Sequence, residues 1–208
     1  MATKTTAKCV QYADDTTIYR HTKPNELEKS VTEMNSDISV IEKWSLDSNL
    51  IFNARKTKSI SLPHLKWQGG IILNSKIKSN NENVIERVPL FKLLGIIFTE
   101  NLTWNEHVKK IVTKAYGTLK SLSLIKRYLP YRVRRQLAES LVLSKIDYGN
   151  TVIHNAPQYL FNQLQRVQNA TASFVRKSYS RKSDVIDMKW LPVKERTEYS
   201  LLNLRGNQ

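Results

Sequence analysis

Two hydrophobic periodicities divide this chain, and any fold it adopts must satisfy both. Up to about residue 104 the apolar residues come mostly in short β-favouring runs; from Asn105 onward they recur at helical spacing. Lys8-Cys9-Val10-Gln11-Tyr12 and Thr16-Thr17-Ile18-Tyr19 flank Ala13-Asp14-Asp15, which reads as a hairpin. Pro24-Asn25-Glu26 then opens a helix with acidic residues in its first turn. Its apolar positions Leu27, Val31, Met34, Ile38, Ile41 and Trp44 form one core-facing stripe. Residues 50–53, a basic turn at 54–57 and a strand at 58–62 follow. Residues 63–86, with Gly69-Gly70 and Asn80-Asn81, read as a loop holding a weak strand at 71–73. Residues 88–98 read as a strand pair or bent strand around Gly95.

The helical half shows three stripes: Val108, Ile111, Val112, Ala115, Leu119, Leu122 and Ile125; Val133, Leu137, Leu141 and Tyr148; Leu160, Leu164, Val167, Ala170 and Phe174. Strands followed by a run of helices predict an α+β chain, with a unit at 1–104 and a helical unit at 105–208. Charge divides at the same place. Residues 1–104 carry 14 Lys/Arg against 11 Asp/Glu, a net of +3, and residues 105–208 carry 19 against 7, a net of +12. Such a basic field suits polyanions, nucleic acid first and acidic membrane surfaces second, and charge alone serves a merely soluble basic surface equally well. No apolar run is long enough to span a membrane, no membrane partner is expected, and the start lacks the apolar core of a secretory signal. A single cysteine, Cys9, excludes an internal disulfide; His21, His64, His107 and His154 have no ligand spacing, so no zinc is expected. An intracellular setting, nuclear or cytoplasmic, is the expectation.

Asp14-Asp15 is the sharpest chemical feature. Adjacent carboxylates at a hairpin tip repel unless cations neutralise them, although such a pair also serves as an ordinary solvated turn. The flanking residues favour the first reading: Tyr12-Ala13-Asp14-Asp15 between two strands resembles the YADD signature of reverse transcriptases. The resemblance continues in order through Trp44-Ser45, Asn49-Leu50, Phe52-Asn53 and Lys56-Thr57-Lys58. It goes on through Phe91-Lys92-Leu93-Leu94-Gly95, Leu102-Thr103-Trp104 and His107, then Leu129-Pro130, Arg134, Leu137, Ser140-Leu141-Val142, Ser144 and Tyr148. Leu164-Gln165-Arg166-Val167-Gln168-Asn169-Ala170 and Trp190-Leu191-Pro192-Val193-Lys194-Glu195-Arg196 complete it. Over about residues 8–200 the chain resembles polymerases of jockey-like non-LTR retrotransposons.

That resemblance implies the end of a polymerase palm, built of β-hairpins and a packing helix, followed by an all-helical thumb-like region. In the intact family two Mg²⁺ (or Mn²⁺) ions support RNA-directed DNA synthesis from deoxynucleotides. Asp14 would be a metal ligand and Asp15 its acidic neighbour. Lys56 lies where a family lysine is proposed to protonate pyrophosphate, with a solvated turn lysine as the alternative. Asn53 is expected to order that turn. Phe91, Leu94 and Gly95 would belong to a primer-grip hairpin, in which Leu93 replaces a usual tyrosine and Thr99 a common aspartate; a plain core strand is the alternative. A third carboxylate from an earlier strand is not in view: eleven residues precede Tyr12, and residues 1–8 contain no acid. Asp37 and Asp47 fall on or after the following helix, the wrong place to substitute.

Lys126, Arg127, Arg132, Arg134 and Arg135 put five cations within ten residues, with Tyr128 and Tyr131 interleaved. Under the resemblance they would grip the phosphates of an RNA template paired with DNA, without reading sequence. A solvated helix end or a nuclear-import patch is the plainer reading. Three functional expectations result: a reverse-transcriptase fragment inactive by itself, a silent basic module that holds RNA or hybrid duplex, or a vestigial product that folds poorly.

Overall fold

A computed structural model describes residues 5–53, 55–62, 76–79, 84–177, 185 and 187–206. The chain forms two compact units, 1–91 and 92–208. The division falls inside a strand rather than near Leu102-Thr103-Trp104, because the next strand and the first helix of the second half pack together. The strand expected at 71–73 lies outside the described residues.

In the first unit, β1 (Lys8–Tyr12) and β2 (Asp15–Tyr19) pair antiparallel, with Tyr12 opposite Asp15 and Lys8 opposite Tyr19. A short 3₁₀ turn, Pro24–Glu26, leads into α1 (Leu27–Asp47). Val31, Ile38 and Ile41 of the expected stripe are buried. So is Asp37, whose carboxylate accepts the backbone N–H groups of Thr6 (2.8 Å) and Ala7 (2.9 Å), the Thr6 hydroxyl and the Arg20 guanidinium (2.9 Å). Arg20 also pairs with Glu33 at 2.6 Å. A charge cluster therefore ties the residues before β1, and the end of β2, to the middle of α1. The helix stops at Asn49, which takes a left-handed φ of 54° while Leu50 N–H reaches Ser45 O and Asn49 N–H reaches Leu46 O. This double bond is the Schellman stop, and asparagine tolerates its backbone better than most residues. The strand expected at 58–62 is only β3 (Lys58–Ser59), parallel to β4 (Glu86–Arg87), with Lys58 Nζ 2.5 Å from Glu86 Oε2.

The second unit holds the large core. β5 (Leu90–Leu93) turns into β6 (Ile96–Thr99), followed by α2 (Asn105–Ile125), a 3₁₀ turn at Lys126–Tyr128 and α3 (Tyr131–Ala138). A π-helical turn, Glu139–Leu143, joins α3 to α4 (Ser144–Asp147), so these read as one helix with a local bulge. A 3₁₀ turn, Asn150–Ile153, precedes α5 (Gln158–Arg176) and α6 (Val193–Gly206). Val108, Ile111, Ala115, Leu119 and Leu122 of α2 pack in one cluster with Leu160, Phe161, Leu164, Val167, Phe174 and Val175 of α5. Ile125, expected in that stripe, is exposed at the helix end.

The second expected stripe is corrected outright. Val133, Leu137, Leu141 and Tyr148 are half-buried or exposed, Leu137 packing at the edge of the core; the buried face carries Arg134, Ala138 and Val142, each one residue further on, and then Ile146. Arg134 makes that rotation possible, because its Nε–H donates to Val175 O (2.8 Å) and its Nη1 to Leu129 O. Small Ala138 permits close approach, and the extra residue of the π turn buries both Val142 and Leu143.

Two motifs of the resemblance meet inside this core. Gln168, fully buried, donates from Nε2 to Leu191 O (2.9 Å), while Gln165 donates to Gln168 Oε1 and accepts Val193 N–H. Trp190, also buried, donates its indole N–H to Glu139 (2.8 Å), and Arg196 forks onto Asp147. These segments lock α6 to α5 and α4, which explains their residue types structurally.

Candidate functional site

The carboxylate pair sits where a two-residue turn places it. β1 and β2 pair up to Tyr12 and Asp15, leaving Ala13 and Asp14 to reverse the chain, and Ala13 does so with a φ of 53°. That backbone is disfavoured for a residue with a Cβ, by roughly 1–2 kcal/mol. Asp14 and Asp15 are both exposed, as is Tyr12. Carboxylate oxygens are the right donors for a hard divalent cation. Among the described residues, however, no group of three His, Cys, Asp or Glu converges on one point. Two carboxylates alone do not make a two-metal centre. Asp37 is occupied by Arg20 and by backbone N–H groups. Burial pushes its carboxyl up, but the hydrogen bonds from Thr6, Arg20 and Ala7 outweigh this and hold it below the usual aspartate range.

Lys56 is exposed on the turn after α1, and among the described residues no ion pair joins it to either hairpin carboxylate. Asn53 orders that turn as expected, its Oδ1 accepting Lys56 N–H at 3.1 Å. Phe91 lies in β5 and is half-buried; Leu94 and Gly95 form the β5–β6 turn, both at positive φ (45° and 86°). Two consecutive left-handed residues give the tight hairpin geometry that favours glycine at the second place. Within the second unit, this turn is held by the end of α4: Tyr148 Oη donates to Leu94 O at 2.6 Å. A Cβ on Gly95 would lie 3.1 Å from the Tyr148 ring. Gly149, at φ 66°, would bring a Cβ to 2.8 Å from Ile96. His107, buried at the start of α2, accepts Ile97 N–H at Nδ1 (3.3 Å) and so fixes β6 to α2. Burial and nearby Lys110 push its imidazole below the usual histidine range.

The five-cation run divides in three. Arg127 and Arg132 are exposed. Lys126 is half-buried, with Nζ 3.3 Å from Ser173 O, and Arg135 is tied to Glu139 (2.9 Å) and to Met188 O (3.2 Å). Arg134 is a correction: only 5% exposed and spent on two carbonyls, it faces the core and presents nothing to a ligand. Lys109, Lys110, Lys114 and Lys120, by contrast, stand exposed on α2 and make no salt bridge among the described residues. Their signal in the sequence is the polar complement of the α2 apolar stripe.

The chain is 21% identical over 195 residues to the retrovirus-related Pol polyprotein from type-1 retrotransposable element R1 of Nasonia vitripennis, a match covering 89% of this chain and 57% of that protein. The chain thus spans little more than half the length of that relative. The similarity supports a relationship with non-LTR retrotransposon Pol polyproteins. No family profile matches the chain, and no solved structure does. No helix among the described residues is long and apolar enough to cross a membrane.

Proposed function

We propose that this chain is the palm end and thumb of a reverse transcriptase from a jockey-like non-LTR retrotransposon, and that alone it holds nucleic acid without extending a primer. The observation that carries the reading is the pair Asp14, in a two-residue hairpin turn, and Asp15, the first residue of β2, in a chain similar to a retrotransposon Pol polyprotein along 89% of its length. In the intact polymerase these carboxylates, with a third from elsewhere in the polypeptide, would hold Mg²⁺ or Mn²⁺, which supplies charge neutralisation at the attacking and leaving oxygens. Lys56 would serve the leaving pyrophosphate. The β5–β6 turn, pinned by Tyr148 and His107, would present its backbone to the primer end. The exposed lysines of α2, with Arg127 and Arg132, would follow the phosphates of an RNA–DNA hybrid, Lys126 and Arg135 lying beside them. Deoxynucleotides and an RNA template are the partners of the whole enzyme.

Primer extension on an RNA template, with Mg²⁺ or Mn²⁺, tests this directly against Asp14→Ala. Neither protein extends the primer, and both bind hybrid with affinity that survives chelator and falls steeply with salt. Extension lost in Asp14→Ala overturns the inactivity; salt-independent binding overturns the phosphate-gripping thumb.

A further inference from the structure

The C-terminal end of α5 gathers several cations, of which Arg176 is paired with Asp187 at 3.1 Å. Lys126 Nζ reaches Ser173 O, and Arg134 Nε–H reaches Val175 O, so two cations distant in sequence already cap its last carbonyls. The helix terminus offers the equivalent of about half a negative charge. Beside it opens a cleft of about 320 Å³ lined by Ser123, Leu124, Lys126, Arg127 and Lys177. Among the described residues no carboxylate lines it, and Arg134 lies close enough to Lys126 to repel it. Burial, then repulsion from Arg134 and Lys177, pushes the Lys126 ammonium below the ordinary lysine range.

The lining is prepared for an anion with an organic attachment. Lys177 ends α5 at a φ of 60°, a backbone that lysine rarely adopts, which turns the chain at the cleft wall. The Arg127 guanidinium lies 4.6 Å over the Tyr128 ring, so its planar donor edge is partly ordered before any ligand arrives. Leu124 is 77% exposed on the same lining, an apolar surface next to three cations.

We propose that this cleft is a phosphate-binding subsite for one nucleotide of a nucleic-acid strand, held by Lys126, Arg127 and Lys177, with sugar or base against Leu124. This rests on the nucleic-acid reading above, and adds Lys177 to it while removing Arg134. A free phosphate or pyrophosphate ion shares the chemistry and is the alternative source.

The test measures binding of a fluorescent RNA–DNA hybrid to the full chain, for wild type, Lys177→Glu, Lys177→Ala and Lys29→Glu. Lys177 and Lys29 are both exposed, and far-UV CD checks that each variant folds. Lys177→Glu weakens binding about tenfold, and Lys177→Ala lowers the slope of log affinity against log salt by about 1. Lys29→Glu, with the same change in net charge, stays within about twofold of wild type. Equal loss in Lys177→Glu and Lys29→Glu overturns the subsite, leaving only a diffuse field. Pyrophosphate binding that depends on Lys177, with hybrid affinity unchanged, overturns the strand assignment in favour of a free anion. Absence of hybrid binding by wild type at low salt refutes the nucleic-acid reading itself, a result distinct from either of the others.

Discussion

Replacing Arg134 by methionine separates a structural arginine from a phosphate contact. Methionine keeps most of the apolar stem that Arg134 lays between α3 and α5, so little packing is lost. What disappears is the pair of donors to Val175 O and Leu129 O. Val175 is fully buried, so its carbonyl gains no water and its orphaning costs about 1–3 kcal/mol; Leu129 is half-buried, and its loss is about 1 kcal/mol. Removing a buried charge returns part of this. The net expectation is about 2–3 kcal/mol, roughly a 30- to 150-fold fall in the folding equilibrium constant of the second unit. Hydrogen exchange of the last turns of α5 reads that loss locally, and urea unfolding followed by far-UV CD reads it globally. Hybrid affinity of the folded variant, measured well below the unfolding midpoint, stays within about twofold of wild type. A variant as stable as wild type that binds hybrid ten times more weakly would refute the reasoning, returning Arg134 to the surface.

Asp37→Asn removes the charge that Arg20 and two backbone N–H groups share, and destabilises the first unit by about 3 kcal/mol in denaturant titrations. Because the Asp37 carboxyl is held below its unfolded value, that stability is complete above about pH 4 and is lost as pH falls through the folded value. The His107 imidazole is likewise depressed: stability is complete above about pH 6.5 and declines as acid protonates the unfolded chain first, so His107→Gln flattens the pH profile of second-unit stability between pH 7 and 5. Ala13→Gly relieves the left-handed turn and slows hydrogen exchange of the β1–β2 hairpin by an amount equivalent to about 1 kcal/mol; an unchanged rate would show that the turn is unstrained.

Element types were largely legible because they follow from local rules. Period-two runs gave β1 and β2, Asn49-Leu50 closes α1 through a local hydrogen-bond motif, and the stripe from Val108 to Leu122 is the buried face of α2. Gly95 left a strand pair and a bent strand both open, and the positive φ of Leu94 and Gly95 makes it a pair. The failures share one cause: partners distant in sequence reverse the ordinary preference of a residue. Arg134 reads as surface until α5 supplies a carbonyl for it, and once it is buried, the apolar Val133 and Leu141 turn outward. Asp37 reads as one more polar helix residue until Thr6, Ala7 and Arg20 surround it.

The candidate site divides along the same line. The amino-acid sequence by itself determined the adjacency of Asp14 and Asp15, because a two-residue turn between paired strands is encoded within a dozen residues. It also determined the excess of positive charge in the helical half. Tertiary structure alone decided which of those charges face outward, since burial depends on what the rest of the chain brings alongside. It spent Arg134 on the core and half of Lys126 on α5, left the α2 lysines free, and placed Lys177 beside Lys126 across some fifty residues of intervening sequence.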